Sequence, residues 1–287
     1  MSGLELDRPV VILGAARSGT TLVGDLLSRH PDLAYWVEPK YVWQYGRPAA
    51  PDDVRTAREA TPRIRAYIRS RFAQYVAARP GARFAEKTPS NCFRVPFVEA
   101  VLPDARYLHI VRDGRDAVFS ALQKWSSPPV PDAMVRRLTS FEIPLRDLPS
   151  YGLQAARRVL RNPWTRSEWA VWGPRYPGIS EDRARLPLLE VCATQWARSV
   201  AALRRDLARI PDERVVNVRF EELVADPGAV LGPVLRGLDL PAAPQLLRTA
   251  RDQVRPERAS SWTEHDPAEL DRVVRIIGSE LEELGYE

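Results

Sequence analysis

Between Pro9 and Thr21 the chain reads PVVILGAARSGTT, a short apolar run that breaks into small residues, one arginine and two threonines. Gly14 and Gly19 permit a tight turn that exposes consecutive backbone N–H groups. Thr20 and Thr21 open a helix expected to run to about His30, so an anion held there would meet both amides and the helix dipole. The two glycines have the spacing of the nucleoside-triphosphate loop, but Thr20 stands where that loop has its lysine. The cation lies inside the loop instead, at Arg17 beside Ser18, and its planar fork can clamp two oxygens of a transferring group. The chemistry these residues permit is that of a phosphate or a sulfate.

A second anion site is written further along. Arg106–Val111, RYLHIV, reads as a strand, followed by RDGRD and a helical stretch to about Trp125. Arg112 leaves the carboxyl end of that strand, where open α/β sheets bind ligands. Ser120 and Lys124 are one helical turn apart and share a face. A loop reading RSGTT, followed roughly ninety residues later by RDGRDAVFS, resembles the sulfotransferases that use 3′-phosphoadenosine-5′-phosphosulfate (PAPS). The resemblance implies that Arg17, Ser18, Gly19, Thr20 and Thr21 hold the 5′-phosphosulfate, and that Arg112 and Ser120, with Lys124 within reach, hold the 3′-phosphate. VRFEELVADP is similar to a segment that follows the last core strand of the family, which places Arg219 near the nucleotide. In RPERASSWTEH, Arg255, Arg258, Ser260, Ser261 and Trp262 form a polar segment expected to fold over the adenosine. The glycine- and lysine-rich segment of cytosolic members is missing there.

Sulfuryl transfer to a hydroxyl needs an in-line arrangement, a base for the hydroxyl proton and cations for the leaving group. Cytosolic members use a histidine in a KTH segment, and the corresponding stretch here, Ala85-Glu86-Lys87-Thr88-Pro89, has proline in its place. Leu33–Val37 reads as a second strand with Glu38-Pro39-Lys40 at its end. A glutamate at this point serves as base in the protein-tyrosine and several bacterial or carbohydrate members, which implies that role for Glu38, with Arg17 and Lys87 or Lys40 supplying positive charge. An ion pair with Arg17 or Lys40 is the competing reading of Glu38. As a base near neutral pH it needs a raised pKa, which burial by Trp36, Tyr41 and Trp43 is expected to provide. His30 and His109 read as packing residues, and His265 as a reserve base.

Around these motifs, alternating strand and helix signals predict an α/β fold of P-loop-like type. A central parallel sheet flanked by helices is expected in a single domain over residues 1–287. Residues about 126–185 differ from their flanks and read as an acceptor-binding insertion. Trp164, Trp169 and Trp172, with Tyr176 and also Trp43, either line its pocket or pack it to the core. RTAREATPRIRAYIRSRF reads as an amphipathic helix, and a long helix is expected from about Leu186 to Ile210. The net charge is +5, but only three basic residues are lysine (Lys40, Lys87, Lys124) and the arginines are dispersed among acids, which argues against nucleic acid as a partner. Neither a leader nor a membrane anchor is read, so a cytoplasmic protein is expected. Cys92 and Cys192 are expected to be free buried thiols, and no metal site is read.

The expected activity is therefore PAPS-dependent O-sulfation of a small-molecule, glycoside or glycolipid hydroxyl, giving adenosine 3′,5′-bisphosphate. A kinase or nucleoside triphosphatase with a degenerate loop, and a non-catalytic nucleotide-binding protein of the same fold, remain alternatives. The acceptor and the oligomeric state, a homodimer included, are left open.

Overall fold

The computed structural model describes residues 6–47, 50–126, 171–254 and 261–287. Five parallel strands form one sheet: β1 (Val10–Leu13), β2 (Leu33–Val37), β3 (Arg83–Lys87), β4 (Arg106–Val111) and β5 (Val215–Arg219), in the spatial order β2-β3-β1-β4-β5. The apolar run that opens the glycine loop is thus the central strand, buried at all four positions, as expected of a parallel strand covered on both faces.

Eleven helices accompany the sheet among the described residues: α1 (Thr20–Leu27), α2 (Lys40–Trp43), α3 (Pro62–Ala77), α4 (Val95–Val101), α5 (Gly114–Ser126), α6 (Ile179–Arg185), α7 (Leu188–Leu207), α8 (Phe220–Ala225), α9 (Pro227–Gly237), α10 (Pro244–Gln253) and α11 (Pro267–Glu283). One sheet face packs Val10, Ile12, Ala85, Leu108 and Ile110 against α1, α9 and α10. The other packs Val11, Leu13, Trp36, Phe84 and Tyr107 against α2, α3, α4 and α7. A third cluster joins α5, α7 and α11. No helix among the described residues is long and apolar enough to cross a membrane.

The register decides where chemistry can occur. Leu13 pairs with His109, Val37 with Lys87 and Val111 with Arg219, so the strands finish together at one edge. Gly14, Glu38, Thr88, Arg112 and Phe220 follow directly after those ends. This is the crevice beyond the carboxyl ends of the strands, beside the point where the chain order reverses around β1.

Several predicted boundaries shift for local reasons. The helix predicted through RTAREATPRIRAYIRSRF begins only at Pro62, because Thr61 caps it, its side chain accepting from the Ile64 N–H, while Thr56 and Glu59 close a separate capping box over a short 3-10 turn. The first helix ends at Leu27 rather than near His30. Phe220, which continues the apolar pattern of Val215–Arg219, is the first residue of α8. Cys92 and Cys192 are free and buried, and burial pushes both thiols up to about 12.

Candidate active site

The glycine loop is closed by its neighbours. A Cβ on Gly14 would come within 2.8 Å of the Ile110 carbonyl oxygen and of the Thr20 side chain. Gly19 has φ 92° and a Cβ there would strike the Phe220 ring, so this left-handed turn admits only glycine. It forms the N-cap of α1 without any capping side chain, leaving the first amides of the helix facing the loop. Arg17 also has positive φ, 67°, an unusual state for a residue with a long side chain.

That backbone turn sends Arg17 toward β4 and α5. Its Nε donates to Ser120 Oγ at 2.9 Å, and Arg112 Nη1 donates to the Arg17 carbonyl at 3.3 Å. The two motifs separated by roughly ninety residues in sequence are therefore one site. Desolvation, then the nearby Arg112 charge, lowers the Arg17 pKa, and desolvation also lowers that of Arg112 despite Asp116, Glu221 and Asp113. Two guanidiniums held this close in partial burial favour an anion between them. Lys124 is half-buried one turn beyond Ser120 on α5.

The Arg112 end is braced from three directions. Its guanidinium lies 4.5 Å from the Phe220 ring centroid and 3.8 Å from the buried Asp116 carboxylate. Ser261 Oγ donates to Asp116 at 2.9 Å, and Arg115 lies 4.0 Å from the Trp262 ring, so this part of the polar C-terminal segment lies along α5. Arg258, with Arg255 and Ser260, lies outside the described residues. Arg219 is spent elsewhere: it donates to the Leu284 carbonyl at 2.8 Å and sits over the Tyr286 ring. It ties down the last turn of the chain instead of offering its charge to the cleft.

At the neighbouring strand ends, Glu38 adopts φ 51°. Its Oε1 accepts from Lys87 Nζ at 2.8 Å, its Oε2 lies 3.0 Å from Lys40 Nζ, and Lys87 also donates to Thr21 Oγ1 at 3.2 Å. Lys87 thus places an ammonium beside the first turn of α1, supplying from β3 the cation missing from loop position 20. The expected upward pKa shift of Glu38 is not found: burial pushes it up, but the charges of Lys40 and Lys87 prevail and hold it at about 2. The ion-pair reading of Glu38 is the state found here, with Lys40 as expected and with Lys87 in place of Arg17.

The acceptor-lining reading of Trp43 is corrected, and of the two open readings of Tyr176 the structure favours packing. Trp43 is fully buried against Phe72 and Phe97 and belongs to the core, not to a surface an acceptor can reach. Tyr176 is likewise buried, its hydroxyl donating to Asp182 at 2.8 Å. Trp172 is half-buried against the α5–α7–α11 cluster, and Trp164 and Trp169 lie outside the described residues. His30 is buried with Nε2 3.0 Å from the Pro241 carbonyl, His109 pairs with Asn217 at 2.9 Å, and His265 stacks on Phe119.

Sequence reasoning passed over two residues. Glu221 accepts from the Asp113 N–H at 2.9 Å and from the Tyr286 hydroxyl at 2.9 Å, joining the Arg112 turn to the end of the chain. The quoted VRFEEL segment contained it, but nothing local signals so distant a partner. Glu86, fully buried beside Lys87, accepts from Thr88 Oγ1 and Asn91 Nδ2, each at 2.6 Å, and burial pushes its carboxyl up to about 7. Among the described residues no cluster of His, Cys, Asp and Glu is placed to hold a metal ion.

The chain is 28% identical over 132 residues to the nodulation protein NoeE of Sinorhizobium fredii, covering 41% of this chain and 32% of that protein. It is 20% identical to a protein-tyrosine sulfotransferase of Drosophila melanogaster over 98% of this chain and 52% of that one. It therefore spans about a third and about half the length of these two relatives. The sulfotransferase domain from the curacin biosynthetic pathway shares the fold, with a TM-score of 0.57, 16% identity and 99% of each chain covered. The sulfotransferase family profile matches residues 9–134 and 158–244, which include the glycine loop, the Glu38 turn, the Lys87 segment and the Arg112–Ser120 helix. With most of its length and all of its joined anion-binding junctions inside that match, the chain belongs to the sulfotransferase family.

Proposed function

We infer that the protein transfers the sulfuryl group of PAPS to a hydroxyl. The observation that carries this reading is the Arg17–Ser120 hydrogen bond, which makes one cleft of the phosphosulfate loop and the helix suited to a 3′-phosphate. The uncapped N-terminus of α1 after Gly19 leaves backbone N–H groups for a phosphate, and the adjacent Arg17 and Arg112 charges fit a donor that carries anions at both ends. In the reaction the acceptor oxygen bonds to sulfur while the bond from sulfur to the bridging phosphate oxygen breaks. The hydroxyl proton passes to Glu38, and adenosine 3′,5′-bisphosphate leaves with the bonding electron pair beside Arg17 and Lys87.

The acceptor class is a small hydroxylated molecule, a glycoside or a glycolipid. Val37, 53% exposed immediately before Glu38, offers such a molecule an apolar contact at the base. The family match breaks off between residues 134 and 158, inside the stretch of about 126–185 read as the acceptor-binding insertion of a single domain, which supports that assignment.

Calorimetric titration with adenosine 3′,5′-bisphosphate, beside Mg-ATP and 5′-AMP, tests the donor. Tight binding of the bisphosphate alone, followed by transfer from labelled PAPS in an acceptor screen, is the expected outcome. Binding of Mg-ATP in its place would overturn the reading, and binding without transfer to any acceptor would leave a nucleotide-binding protein.

A further inference from the structure

Glu38 is a carboxylate with both oxygens committed. Lys87 holds Oε1 and Lys40 holds Oε2, at 2.8 and 3.0 Å. An oxygen that already accepts from an ammonium is a poor acceptor for a hydroxyl proton, because taking the proton means giving up the ion pair. The two lysines differ in setting. The Lys87 side chain is 4% exposed and that of Lys40 34%, so Lys87 is the buried charge that must always have an anionic or polar partner.

Lys87 also has a second position available. Its ammonium has three donors, and one already points to Thr21 Oγ1, on the first turn of α1 directly after the glycine loop. The other groups coupled to this centre are Tyr35 from β2, which feels the Glu38 charge, and Asp25 from α1 and Glu86 from β3, which both feel Lys87. The lysine therefore stands between the base and the place where the transferring group would sit, in contact with both sides.

We propose that the donor switches the base on: the sulfuryl group of PAPS, lodged beside Thr21, draws the Lys87 ammonium away from Glu38 and frees one carboxylate oxygen for the acceptor hydroxyl. This rests on the sulfotransferase reading and adds to it an order of events. Without donor, Lys87 closes the base. With donor, the same cation moves onto the sulfuryl group, where charge builds during transfer, and Lys40 alone keeps Glu38 in place. Acceptor binding thus becomes productive only after donor binding. Removing one of two ammoniums from a carboxylate raises its proton affinity, so donor binding must carry proton uptake in the acid range, and donor affinity must gain as pH falls toward the ordinary glutamate value.

The test is calorimetry with PAPS at about pH 4.5, near the unperturbed glutamate value, in two buffers of different ionisation enthalpy, on the wild-type protein and on Glu38→Gln. Excess proton uptake by the wild type over Glu38→Gln, seen with PAPS and absent with adenosine 3′,5′-bisphosphate, is the expected result. Equal uptake by the two proteins while both bind PAPS overturns the switch and leaves the sulfotransferase reading standing. The same excess with the bisphosphate, which lacks the sulfuryl group, also overturns it. Failure of either nucleotide to bind the wild type sinks the donor assignment itself. Because glutamine can still accept from Lys87, the variant keeps the local packing.

Discussion

Glu38 and Arg17 are the two residues of the cleft whose backbone is held at positive φ without being glycine, at 51° and 67°. Such conformations persist only where surrounding contacts over-determine them. Here those contacts are the Glu38 N–H donating to the Lys87 carbonyl at 2.9 Å, the two lysines on the Glu38 carboxylate, and Ser120 on the Arg17 guanidinium. The strained turn aims each side chain off the end of its strand or loop instead of back along the sheet. Glu38→Gln keeps the shape and removes the proton acceptor, so turnover should fall by about 10²- to 10⁴-fold, the usual contribution of a general base, while bisphosphate affinity is unchanged. Steady-state rates with PAPS beside a bisphosphate titration check both halves, and retained turnover would remove Glu38 from the chemistry. The residue types at positions 17, 38, 87, 112 and 120 were all legible in the chain. The pairing of Lys87 with Glu38 was not, because it spans 49 residues and only the β2–β3 register brings it together.

Elements explain which parts of the site could be foreseen. β1, β2 and β4 are short apolar runs bounded by turn residues, and their limits in the structure match the sequence pattern to the residue. β3 carries RFAEK, with two charges at its end and no apolar run, yet all five residues are buried. Two of its polar side chains find distant partners, Arg83 on the Leu238 carbonyl and Lys87 on Glu38, while Glu86 is held by Thr88 and Asn91 of the turn that follows. The junction of β5 and α8 was equally opaque, since Phe220 looks like a strand residue but serves as the wall of the glycine loop. Gly19→Ala must place a methyl group into the Phe220 ring at a φ that alanine avoids, costing about 1–3 kcal/mol. A lower Tm together with loss of bisphosphate binding is expected. An alanine variant with unchanged Tm and affinity would show that the loop is not clamped by α8.

Across the whole molecule, polar ties both distant and local brace the segments around the sheet. Asp53 accepts from the backbone and guanidinium of Arg175, Glu221 links the Arg112 turn to Tyr286, and the buried Arg94 donates to Asn91, which in turn donates to Glu86. Glu86 is the member of this network whose charge is least welcome. Burial raises its carboxyl to about 7 in spite of hydrogen bonds and the Arg94 and Lys87 charges that favour the ionised form. A carboxyl whose folded pKa lies above the unfolded value near 4.5 contributes fully below about pH 4.5, and its contribution is lost as pH rises toward 7 and beyond, where ionisation must occur in the folded state. At about 1.4 kcal/mol per pKa unit the loss amounts to a few kcal/mol by pH 8. Glutamine at this position keeps both hydrogen bonds, its carbonyl accepting from Asn91 and its amide donating to the Thr88 hydroxyl, and it has no charge to bury. Glu86→Gln should therefore melt close to wild type at about pH 5 and above it at about pH 8, by about 2–4 °C for each kcal/mol recovered. Thermal unfolding followed at the two pH values decides the matter: a difference between the proteins that does not widen with pH would mean that Glu86 is ionised throughout, held so by Arg94 and Lys87, and that the turn beneath the Lys87–Glu38 pair is an ion-pair network instead of a neutral hinge.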